Sequence, residues 1–105
     1  MKNGECCVVL TTTDNREVAE LIAKTLIECR LAACVQIGSV ESFFFYDQEC
    51  CKANEFRLTI KARSDNYKVI EESIKQNHNY QLPQIIKLDI TNGLPEYIKW
   101  IHSSQ

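Results

Sequence analysis

Residues 55–63, EFRLTIKAR, alternate without interruption: Phe56, Leu58, Ile60 and Ala62 fall on one side of an extended chain, and Glu55, Arg57, Thr59, Lys61 and Arg63 on the other. A strict period of two describes a strand with one apolar face. Such a strand needs a covering layer for that face and further strands for its edges.

The rest of the chain supplies both. Residues 5–12, ECCVVLTT, form a short β-branched run. Asp14 then offers an N-cap for a helix over residues 15–30, with Val18, Leu21, Ile22, Leu26 and Cys29 at three- and four-residue steps on its inner face. Residues 32–48 read as one long strand with Gly38 as a bend or bulge, and a turn-prone stretch over residues 47–54 joins it to EFRLTIKAR as a hairpin. Ser64 or Asp65 caps a second helix reaching about Asn77, with Tyr67, Ile70 and Ile74 inward and His78 at its C-terminal end. Residues 84–91, QIIKLDIT, are the fourth strand. Pro95 then opens a C-terminal helix with Leu94, Tyr97, Ile98 and Ile101 on one side.

The order β-α-β-β-α-β plus a C-terminal helix is that of an α+β, ferredoxin-like sandwich, with two helices covering one face of an antiparallel sheet. A chain of 105 residues makes one domain, 1–105. It is too small to cover both sheet faces, and FFFY at Phe43, Phe44, Phe45 and Tyr46 places large aromatics on both sides of strand two. Burial by other copies of the chain is the first expectation. Packing of these aromatics under the C-terminal helix, against Tyr97 and Trp100, is the second.

Several function classes are disfavoured. A net charge of −2 provides no field for a phosphate backbone, so nucleic acid is not an expected partner. The N-terminal apolar run of about six residues is shorter than a signal segment and far short of the roughly 20 a membrane span needs, so no membrane association and a cytoplasmic location are expected. The six cysteines, Cys6, Cys7, Cys29, Cys34, Cys50 and Cys51, contain no C-x-x-C pair and read as reduced thiols. The loop after strand one, TTTDN, has no glycine to cradle a phosphate, and Arg16 with two distant histidines does not assemble a catalytic set, so no enzyme is expected.

The segments VVLTTTDN, LAACVQI, SFFFYDQ, EFRLTIKAR, HNYQLPQIIKLDI and YIKWI, in this order, resemble the CutA divalent-cation tolerance family over nearly the whole chain. The resemblance implies a non-catalytic homotrimer in which long β2–β3 hairpins wrap neighbouring subunits, with Phe43, Phe44, Phe45 and Tyr46 at the trimer interface. It implies copper or another divalent cation as ligand. Thr11, Asn77 and His78 fall at the positions of a family cysteine and histidine pair, so one ligand of the three is retained. The family's His-Pro-Tyr is here His78-Asn79-Tyr80, and a usual hairpin glycine is Gln48. The resemblance also implies an inter-subunit cleft lined by Tyr46, Glu55, Lys61, His78, Tyr80 and Trp100, suited to a small ligand. A regulatory trimer that binds a small ligand without metal is the alternative function. For His78, capping or hydrogen bonding is favoured over ligation.

Overall fold

The computed structural model describes residues 5–104. Strands β1 (Cys6–Thr13), β2 (Cys34–Tyr46), β3 (Glu49–Arg63) and β4 (Ile86–Ile90) alternate with helices α1 (Arg16–Glu28), α2 (Tyr67–Asn77) and α3 (Pro95–Ser103). The sheet is antiparallel throughout, in the order β2-β3-β1-β4. This is the ferredoxin-like sandwich that the order of periods requires.

The period of two decides which side of the sheet is covered. On β1, Cys7 and Val9 face α1 and α2, and on β3 Leu58, Ile60 and Ala62 do the same, meeting Ala19, Ile22, Leu26, Ile70 and Ile74 in the main core. The neighbouring residue Cys6 points the other way and is closed over by Ile98 and Ile101 of α3, with Ala33 and Ile90 beside them. Adjacent cysteines thus serve two different cores, and burial pushes both thiols up from their ordinary pKa.

Several local expectations change. Asn15 rather than Asp14 caps α1, its side chain accepting from the Val18 amide at 3.1 Å; Asp14 instead accepts from Asn79. Leu21 and Cys29 lie outside the buried stripe of α1, which runs through Ala19, Ile22 and Leu26. Ala19, Ile22 and Leu26 recur at three- and four-residue steps, so they form one stripe from which Leu21 and Cys29 are excluded. Arg30 ends α1 at φ 58°, and the Arg30 and Leu31 amides bond back to Ile27 and Leu26, closing a Schellman turn without glycine. Gly38 makes no bulge, because β2 and β3 pair in unbroken register from Cys34↔Lys61 to Tyr46↔Glu49. The turn-prone stretch 47–54 narrows to Asp47 and Gln48, and β3 begins at Glu49. On α3 only Ile98 and Ile101 are buried, whereas Leu94, Tyr97 and Trp100 are exposed.

Both turn residues have positive φ, 53° at Asp47 and 64° at Gln48, the backbone of a type I′ turn that matches strand twist. Gln48 bears the Cβ cost of that conformation. Gln48→Gly is expected to raise stability by about 1 kcal/mol, read as an upward shift in Tm with unchanged spectra.

β1 pairs with β3 only from Phe56 onward, so the preceding part of β3 and its β2 partner form a two-stranded arm beyond the sheet. Phe43 is 67% exposed and Phe45 78%, with Phe44 and Tyr46 also exposed on this arm. They do not pack under α3. That helix sits at the other end of the strands, where Tyr97 and Trp100 stack on each other with ring centroids 5.5 Å apart.

Candidate functional site

The connection after α2 leaves the helix at His78, whose backbone turns extended at φ −81°, ψ 148°. Its ring is held at both nitrogens. Nδ1 accepts from the Tyr80 amide at 3.0 Å, which leaves Nε2 as the donor to the Thr12 carbonyl at 2.9 Å. Asn79 reaches the β1–α1 loop, accepting from Thr13 Oγ1 at 2.6 Å and donating to Asp14 at 2.9 Å. The Tyr80 hydroxyl donates to Glu55 Oε2 at 2.6 Å, and its ring packs 4.9 Å from that of His78. Three consecutive side chains or amides therefore tie the connection to β1, to the loop after it and to β3.

Burial and the Glu55 hydrogen bond push the Tyr80 phenol well above its ordinary value. Burial and Glu71 push that of Tyr67 up to about 12. Each phenol keeps its proton when folded at pH values where an unfolded chain has lost it. This contribution to stability is complete below about pH 10 and is lost as the pH rises through the folded values. Tyr80→Phe is expected to lower stability at pH 7 by about 1–3 kcal/mol, because Glu55 loses its donor, and to flatten the decline above pH 10. Denaturant titrations at pH 7 and pH 11 measure both effects.

The structure brings Glu55, His78 and Tyr80 together and leaves the other proposed cleft residues elsewhere. Lys61 shares the open sheet face with Glu55 but lies six residues along β3, roughly 20 Å away at 3.3 Å per residue. Its Nζ donates to the Tyr97 hydroxyl at 3.3 Å and stands 5.4 Å over that ring, beside Trp100. Tyr46 is out on the arm, where its carbonyl is 3.8 Å from Cys51 Sγ. Within one chain these residues form two separate groups and an outlier. Asn79 and Tyr97 were missed by sequence reasoning. Tyr97 was legible as the i, i+3 neighbour of Trp100; Asn79 was not, because its partners lie in a distant loop.

The three candidate metal positions do not converge. The Thr11 side chain faces the helices, and its hydroxyl is buried without a partner. Asn77 donates its amide to the Ser73 carbonyl at 2.9 Å, one helical turn back. His78 bonds Thr12, whose side chain points away from that of Thr11. Among the described residues no group of three or more His, Cys, Asp or Glu side chains could hold a metal ion. A hydroxyl, an amide and a doubly engaged imidazole do not fit copper. Thr11→Val, which removes an unpaired hydroxyl at nearly constant volume, is expected to raise stability by about 1 kcal/mol in a thermal melt.

Fold and site together define a class of ferredoxin-like sandwiches with a long β-arm and a hydrogen-bonded polar connection after α2. No described helix is long and apolar enough to cross a membrane. The family model described as CutA1 divalent ion tolerance protein matches residues 7–104, and the chain belongs to that family. The divalent-cation tolerance protein CutA of Archaeoglobus fulgidus is 38% identical over 93 residues, covering 89% of this chain and 91% of that protein. Among solved structures, CutA1 from Shewanella sp. SIB1 superposes with TM-score 0.92 at 35% identity, covering 100% of this chain and 98% of that one. The Archaeoglobus fulgidus CutA structure, described as periplasmic, superposes with TM-score 0.90 at 35% identity and covers 94% and 97%.

Proposed function

We propose that the protein is a non-catalytic homotrimer serving divalent-cation tolerance, copper in the first instance, with a small-ligand or ion site formed between subunits. The observation that carries this reading is the open sheet face. Val8 pairs with Leu88 and Leu10 with Ile86, so four apolar side chains form one patch, with Ile86 44% and Leu88 50% exposed. That patch and the aromatic arm are surfaces that copies of the same chain would bury. The cleft residues are split between two ends of one face, so a single cleft containing them all requires contributions from different subunits.

Absence of catalysis is supported by the side chains an enzyme would need. Arg16 is engaged with Glu20 at 2.9 Å and lies 5.4 Å over the Phe56 ring, and His78 has no ring nitrogen left to act as a base. Six free cysteines suit a reducing compartment, which favours the cytoplasm. Expression of this chain in cells made copper-sensitive by loss of their own CutA-family gene is expected to restore growth at elevated copper. Unchanged sensitivity at matched protein levels would contradict the tolerance role.

The cluster of Lys61, Tyr97 and Trp100 favours a second reading, a regulatory trimer that binds a small anion or aromatic ligand without metal. A cation over a stacked aromatic pair is chemistry that recognises such ligands. A ligand that binds only the native state raises Tm with concentration, and loss of that shift in Trp100→Ala would assign it to this cluster.

A further inference from the structure

We propose that the segment Asn77–Tyr80 is a hydrogen-bonded clamp that stands in place of the family's metal site, so that His78 fastens strand ends and holds no cation. This goes beyond the trimer and its tolerance role, and neither depends on it.

An imidazole can engage only two partners in its ring plane. The ring has two nitrogens, each with one in-plane direction for a partner, and both are occupied at 2.9 and 3.0 Å by backbone groups of the protein. A metal at Nδ1 must displace the Tyr80 amide, leaving that donor unpaired. A metal at Nε2 must remove the proton that the Thr12 carbonyl accepts. Neither displacement is offset by other ligands. The hydroxyl of Thr11 is buried on the opposite side of β1 from the Thr12 side chain, and Asn77 has turned its amide nitrogen to its own helix.

The remaining residues are arranged as a clamp requires. Asn79 links Thr13 and Asp14, which precede the N-cap of α1, to the end of α2. Thr13 Oγ1 also accepts from the Asn15 amide at 3.2 Å, so the link continues into that cap. Tyr80 fixes Glu55, the residue immediately before the stretch where β1 pairs with β3. A proline at position 79 would supply neither side-chain bond. The clamp thus holds the starts of α1 and of the paired part of β3 against the end of α2.

The test begins with the unaltered reduced chain, labelled with 15N. Long-range 1H–15N correlations are expected to show His78 protonated at Nε2 and unprotonated at Nδ1, and a tenfold excess of Zn(II) is expected to leave both resonances in place. Calorimetric titration of the Cys50→Ser/Cys51→Ser chain with Cu(II) is expected to show no one-per-chain event that His78→Ala removes. His78→Ala and Asn79→Ala should each raise amide exchange at least tenfold at Thr13 and Tyr80, a change confined to the clamp. A Zn(II)-dependent shift of either His78 nitrogen, or a one-site Cu(II) isotherm lost with His78→Ala, would overturn the proposal. If His78→Ala does not fold, the tautomer and the Zn(II) response of the unaltered chain decide alone.

Discussion

Leu10→Lys/Leu88→Lys is expected to convert a species of three times 12.1 kDa into one of 12.1 kDa, with little change in the far-UV spectrum. Both side chains project from the sheet face opposite α1 and α2, and neither belongs to the main core. In an isolated subunit their replacements reach water. In an assembly that buries this face, each lysine places an unpaired ammonium among apolar side chains, at a cost of several kcal/mol per subunit. Closed symmetry repeats that cost at every interface, and each 1.4 kcal/mol is about a tenfold loss in association. Multi-angle light scattering across a micromolar range reads the outcome. Retention of the larger mass would show that the patch is not the contact surface.

Leu58→Ala is expected to cost about 3–5 kcal/mol, a large share of the roughly 5–15 kcal/mol that holds a domain of this size. Leu58 is completely buried on β3, between β2 and β1, under both helices of the main core. Its loss leaves a cavity that two flanking strands prevent from closing. At about 4–8 °C per kcal/mol, Tm should fall by well over 10 °C. The same substitution at Leu88, exposed in the single chain, should cost little in the fold and act through association instead. Comparing the two by denaturant unfolding at several protein concentrations separates folding from assembly, because only an assembly-linked loss changes with concentration.

These two residues also mark where the sequence was legible and where it was not. The period of two in EFRLTIKAR placed Leu58 inside without help from any other segment, and the opposed cysteines at positions 6 and 7 followed from the same rule. The order of periods then left one compact topology. Helix faces were less legible: the three- and four-residue spacing of α1 admits several stripes, and packing against the sheet buries Ala19 while leaving Leu21 and Cys29 exposed. The turn at Asp47 and Gln48 carried no glycine to announce it, so its tightness and the full length of β3 were hidden.

The site was the least legible part. His78 could be placed at the end of α2 from Ile70 and Ile74, but its partners, the Thr12 carbonyl and the Tyr80 amide, are backbone groups that no side-chain pattern encodes. Glu55 stood on the polar side of its strand, and only the return of the chain after α2 brings Tyr80 over it. The separation of Lys61 from Glu55 was present in their numbering, six residues apart on one strand. It means that residues expected in one cleft can meet only across subunits.

Sedimentation equilibrium of the unaltered, fully reduced chain at micromolar concentration tests the account most directly. A single species of three times 12.1 kDa is the predicted result. A single species of 12.1 kDa would contradict it, since it would leave the apolar sheet face and the aromatic arm open to solvent and the cleft residues divided between two distant places.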